Sequence, residues 1–209
     1  MSEPRRAMLI VGGDPYHDPW LCGLTIARYI SEAGFEVLVS SAKEVLSSPE
    51  LKGFSLLASY SPGRLTEAQT KGLLDFVRSG GGFLGIHPAA VVGEGAEEYL
   101  DMLGCKFLSH PPIGELEVKV VDKEHPVTLG LSDFRIVDEL YLTDFDPSKL
   151  RILAISEHEG REYPMVYVKG FGEGRVCYIA LGHDMRAVGS KDFKRLVVRG
   201  ARWAAGIER

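Results

Sequence analysis

Three of the six histidines stand where an apolar run stops. His17 lies in GGDPYHDPW, just after the run MLIV. His87 follows GGFLGI directly, and His183 closes VCYIALGH. Imidazole titrates near neutral pH, so it can pass protons; in its neutral form it also ligates metals. The residues alone leave both uses open. Asp138-Glu139 interrupts the apolar run RIVDELYLTDF. A carboxylate among such neighbours costs free energy unless it is paired or faces water at a strand edge. If paired, Glu139 is a candidate general base, hydroxyl acceptor or metal ligand. Asp18 beside His17 and Asp184 beside His183 are placed to orient those rings, and Tyr60, at the end of another apolar run, is a candidate lining residue. The remaining histidines read as structural. His110 and His125 each precede a proline, which fixes an extended turn, and His158 sits among Glu157, Glu159 and Arg161 in a charged turn.

The elements that must position these residues follow from hydrophobic period. Ala7–Val11, Phe35–Val39, Phe54–Ala58 and Phe83–Ile86 are short β-prone runs. Between them, 21–33 and 65–78 show helical spacing and stop at Gly34 and at Gly80-Gly81-Gly82. Strands alternating with helices predict βαβ units and a parallel sheet covered on both faces. Leu116–Val121 alternates and predicts a half-exposed strand. Phe134–Leu142 and Arg151–Ile155 follow, then a hairpin of Tyr163–Lys169 and Arg175–Leu181 around GFGEG, and a last amphipathic helix over 193–205. In an open α/β sheet, ligands collect beyond the carboxyl ends of the strands. The geometry that matters is therefore one shared edge for residues 17, 87 and 183.

Composition limits the function. At 209 residues, 45% hydrophobic and 25% charged, the chain is an ordinary globular protein and reads as a single domain over 1–209. A net charge of −5 without a basic tract argues against nucleic acid. No apolar run approaches the about 20 residues that cross a bilayer, and none is long enough for a signal-peptide core, so the expected location is cytoplasmic. Cys22, Cys105 and Cys177 form no C-x-x-C pair, so neither a disulfide scaffold nor a cysteine metal cage is indicated. The alternating segment and the hairpin offer an edge or face for a homo-oligomer.

Three longer stretches carry a family signal: GGGFLGIHPA at 80–89, HPVTLGLSDFRIVDELY at 125–141, and GEGRVCYIALGHD at 172–184 followed by a helix ending in RGARWAAG. In these the chain resembles the trehalose-utilisation (ThuA-like) family. The resemblance implies a class I glutamine amidotransferase-like, flavodoxin-like fold: a three-layer α/β sandwich with a mostly parallel, doubly wound sheet, here with an antiparallel hairpin elaboration. In amidotransferases the turn after the fourth strand carries a cysteine nucleophile. Here that turn reads Gly85-Ile86-His87-Pro88-Ala89, and no other cysteine suits the loop, so glutamine hydrolysis is not expected. The resemblance implies a carbohydrate as the small-molecule partner: trehalose, related disaccharides or their 3-keto derivatives. It carries over His87, Asp138, Glu139, Tyr141, His183 and Asp184; His17 matches more loosely.

Two functions remain open. One is a sugar or keto-sugar lyase, hydrolase or isomerase, with His87, His183, Glu139 and His17 moving protons and Tyr60, Asp138, Tyr141, Asp184, Asp18 and Trp20 binding substrate. A divalent metal such as zinc on His17, His87, His183 or Glu139 is a variant of it. The other is a non-catalytic sugar-binding or complex-forming module, for which Trp20 and Tyr60 would provide a surface.

Overall fold

A computed structural model describes residues 5–13 and 18–207. His17 lies outside the described residues. The chain runs β1 (Arg5–Val11), α1 (Pro19–Glu32), β2 (Phe35–Ser40), β3 (Leu56–Tyr60), α2 (Glu67–Arg78), β4 (Gly82–Ile86), α3 (Glu97–Leu103), β5 (Cys105–Ser109), β6 (Gly114–Val120), β7 (Phe134–Asp138), β8 (Leu142–Phe145), β9 (Arg151–His158), β10 (Arg161–Phe171), β11 (Gly174–Ile179), α4 (Met185–Val188) and α5 (Lys191–Ala204).

The large sheet has the order β2-β1-β3-β4-β11-β10-β9-β6-β7. From β2 to β11 every pairing is parallel; from β11 to β7 every pairing is antiparallel. The expected α/β architecture is present, with a larger antiparallel part than the hairpin alone predicts. β5 and β8 pair separately as a two-stranded antiparallel ribbon. Helices α1, α4 and α5 pack together on one face, and α2 packs with α3 on the other. No helix among the described residues is long and apolar enough to cross a membrane.

Local sequence explains the helices. Thr66 and Gln69 form a reciprocal capping box at the start of α2, and Leu73, Leu74 and Val77 turn its apolar face inward. Ser190 caps α5, whose Phe193, Leu196, Val197 and Ala201 are buried. Gly200 lets α5 lie close to the sheet: a Cβ there would stand 3.1 Å from Cys177 Sγ and 3.2 Å from Leu84 Cδ1.

Two expectations need correction. The run 134–142 is not one strand: β7 stops at Asp138 and β8 starts at Leu142, because the Asp138 side chain captures the main-chain N–H of Glu139 at 2.9 Å and turns the chain. Nor does the hairpin offer a sheet edge, and the alternating segment meets β9 through Lys119 and Val120. β6 is flanked by β9 and β7, and the β10–β11 hairpin lies inside the sheet between β9 and β4. The outer strands are β2 and β7.

Gly200→Val tests the close approach of α5. Its added methyls have no room against Leu84 and Cys177, and the stability lost in urea denaturation should be about 1–3 kcal/mol.

Candidate active site

The turn after β4 is built around a strained histidine. β4 is fully buried and delivers His87 with φ 34, a left-handed conformation that a side-chain-bearing residue rarely adopts. Pro88 then starts a single 3-10 turn, His87–Ala90. Two buried tyrosines hold the strained segment: Tyr178 Oη donates to the His87 carbonyl at 2.9 Å, and Tyr99 Oη to the Ala89 carbonyl at 2.9 Å. The register pairs Ile86 with Ile179, which brings the next residues together. There His87 Nδ1 lies 2.7 Å from the Ala180 carbonyl. A carbonyl only accepts, so Nδ1 carries the proton, and in the neutral ring Nε2 presents its lone pair. Tyr141 stacks on the ring, centroids 4.0 Å apart, and Phe107 packs on Tyr141.

The turn after β11 is clamped from two sides. Asp138 Oδ2 accepts from Gly182 N at 2.7 Å and Oδ1 from His183 N at 2.9 Å, while Tyr60 Oη donates to the Gly182 carbonyl at 2.8 Å and reaches that of His183 at 3.2 Å. Gly182 itself has φ 118, and a Cβ there would meet the Phe193 ring at 2.9 Å. Burial pushes the Asp138 carboxyl above the usual range, opposed by the His87 charge and by its three main-chain donors. Asp138 and Tyr60, expected to line the site, are thus engaged with main chain and position His183.

Glu139, the residue after Asp138, is the hub. Its Oε2 lies 3.4 Å from His87 Nε2 and 3.2 Å from His183 Nδ1; its Oε1 lies 3.0 Å from His110 Nδ1. Burial pushes the Glu139 carboxyl up, but hydrogen bonds from His183 and His87 and their charge outweigh it and hold the group far below its ordinary range. The hydrogen bond to Glu139 raises His183 against the opposing effect of burial. Both directions describe one property: the positive form of His183 and the negative form of Glu139 stabilise each other.

His110 is the residue that reading the sequence missed. The His-Pro step suggested a structural turn, yet the ring reaches Glu139 and also lies 3.0 Å from the Pro111 carbonyl, two acceptors that place its proton on Nδ1. The available signal was CKFLSH, an apolar strand ending on a histidine like the other three, but β5 was not recognised. His125 is structural as expected: its Nδ1 accepts from Val127 N, and its ring packs against Trp203. Asp184 caps α4 and forms an ion pair with Arg186, and its charge adds to the raising of His183. Asp18 caps α1 through Leu21 N, and Trp20 is 54% exposed on that helix.

The rings of residues 87 and 183 converge, but not in an open hollow. The His87 side chain is fully buried, that of His183 10% exposed and that of Glu139 8%; the His110 side chain, at 44%, is the half-exposed rim. Tyr141 and Phe107 close the His87 side. Among the described residues, His87, Glu139 and His183 are the one group of at least three His, Cys, Asp or Glu residues whose candidate ligand atoms lie mutually close, within 4.8 Å. Cys22, Cys105 and Cys177 are buried and in no disulfide, and burial pushes the Cys22 thiol up to about 11 and Cys105 up to about 12.

A buried imidazole–carboxylate cluster at the carboxyl edge of a mostly parallel α/β sheet, with histidine rather than cysteine at the strand-four turn, is the site this fold presents. The family model for ThuA, trehalose utilisation, matches residues 7–204, and the chain belongs to that family. A ThuA-like protein from Parabacteroides merdae superposes with a TM-score of 0.84 at 23% identity, over 99% of this chain and 91% of that one. A ThuA-like protein from Bacteroides uniformis gives 0.83 at 19%, over 98% and 93%. The β-galactosidase of Rahnella sp. R3 contains a similar fold, with a TM-score of 0.69 at 16% identity, over 100% of this chain and 32% of that larger one. These likenesses show the fold. Among curated proteins, none matches.

Asp138→Asn keeps the volume but turns an amide NH2 towards main-chain donors. Chemical denaturation should show a loss of about 1–3 kcal/mol for each N–H left without an acceptor.

Proposed function

We propose that the protein is an enzyme acting on a carbohydrate that carries a carbonyl, of the 3-keto-disaccharide class, and that the reaction takes place at the Glu139 cluster. The observation that carries the reading is the convergence of His87, His183 and His110 on one buried carboxylate from three separate strand ends. A structural ion pair needs two partners; three imidazoles around one carboxylate are an arrangement for holding and moving positive charge. Positive charge held against Glu139 polarises a substrate oxygen. A half-exposed ring at the rim, His110, is placed to take or give the proton at the neighbouring carbon or hydroxyl. Such an enolisation or β-elimination needs no strong nucleophile, which suits a scaffold whose thiols are all buried. The family's description, trehalose utilisation, supports a sugar substrate. Substrate must approach from the side of His110, His183 and Glu139, the members of the cluster that reach solvent. The three reduced, buried thiols suit a cytoplasmic location, which belongs to the same proposal.

Incubation with 3-keto-trehalose and related keto-disaccharides should give turnover that falls about 10²–10⁴-fold in Glu139→Gln and in His110→Ala. Binding without turnover, unaffected by either change, would favour the competing reading of a sugar-binding module.

A further inference from the structure

Resting on the reading of this cluster as the reacting centre, we infer that its positive charge is a divalent metal ion in a tetrahedral, zinc-type site formed by His87 Nε2, His183 Nδ1 and Glu139 Oε2. The edge lengths carry the argument. Glu139 Oε2 lies 3.4 Å from His87 Nε2 and 3.2 Å from His183 Nδ1. Metal–ligand bonds of about 2.0–2.1 Å in a tetrahedron put neighbouring ligand atoms roughly 3.3–3.4 Å apart. One nitrogen from each ring and one carboxylate oxygen all lie within 4.8 Å of one another.

The surroundings of each ligand atom fit the same role. The Ala180 carbonyl takes the Nδ1 proton of His87 at 2.7 Å and makes Nε2, 3.4 Å from Glu139 Oε2, the ring atom that would hold an ion. This is how metal-bound imidazoles are usually oriented. His110 Nδ1 holds the other carboxylate oxygen, Oε1, at 3.0 Å, which turns Oε2 to the two rings. Each ligand is fixed by main chain from a different strand end: His87 in its strained turn under Tyr178, His183 in the turn clamped by Asp138, and Glu139 immediately after Asp138. One carboxylate and two neutral imidazoles form a mixed N/O set that suits zinc and its neighbours. Three protein ligands leave a fourth position for water or a substrate oxygen, the pattern of catalytic sites, and an ion there would act as the Lewis acid on a carbonyl.

The test strips the full-length protein with chelator, confirms its fold by circular dichroism, and titrates it with Co(II). One ion per chain, with the intense visible bands of tetrahedral cobalt and competition by Zn(II), is the expected result. His87→Ala and Glu139→Ala, each checked for native circular dichroism, should lose the bands. His110→Ala should keep them with about 10–100-fold weaker affinity. Less than a tenth of an equivalent bound, the weak bands of octahedral cobalt, or bands that survive both His87→Ala and Glu139→Ala would overturn the site. Keto-sugar turnover by chelator-stripped protein would also overturn it while leaving the proposed reaction intact. Stoichiometric tetrahedral cobalt in a protein without turnover would support the site and sink the reaction.

Discussion

Asp138 ties the two halves of the molecule together. It ends β7, the outermost antiparallel strand, yet its carboxylate accepts the N–H groups of Gly182 and His183 after β11. In the sheet order β7 lies four places from β11. At the usual strand spacing a flat sheet would separate them by about 19 Å. The antiparallel half must therefore curl back strongly over the carboxyl edge, more than the ordinary twist of a sheet requires. A buried carboxylate with three charge-assisted hydrogen bonds fixes the end of that curl. Glu139, one residue on, is carried to the two histidines by the same grip.

Much of the cluster's chemistry then follows from how little freedom its members keep. His87 is held in a costly backbone conformation by a tyrosine on its carbonyl and by another strand's carbonyl on its ring. The His183 turn has its N–H groups on Asp138 and its carbonyls on Tyr60. Such over-determination is what allows strain and buried charge to persist at a functional site. It also separates roles. Asp138, Tyr60 and Tyr178 hold main chain, whereas Glu139 faces the three imidazoles.

The parallel half was legible in the sequence because its strands are short, nearly continuous apolar runs, and α1 and α2 carry helical spacing and stop at glycines. His87, His183 and Glu139 were legible as well, since a polar residue at the end of a buried run has few bland explanations. The antiparallel half was harder to read. Short strands such as β5, Cys105–Ser109, show no clean alternation, and without β5 the role of His110 could not be seen. The break after Asp138 was hidden because β-propensity continues through Leu140, Tyr141 and Leu142; a side-chain hydrogen bond to the main chain ended the strand. Burial was hidden too. Nothing local in the sequence says that Tyr141 and Phe107 stack over His87.

The curl of the antiparallel strands has a consequence for how the protein comes to life. The groups at 87, 139 and 183 meet only after β7 has swung round to the parallel half and Asp138 has taken the N–H groups of Gly182 and His183. Until then Glu139 is an ordinary hydrated carboxylate and the imidazoles lack their counter-charge. The cluster is therefore complete only in the native topology.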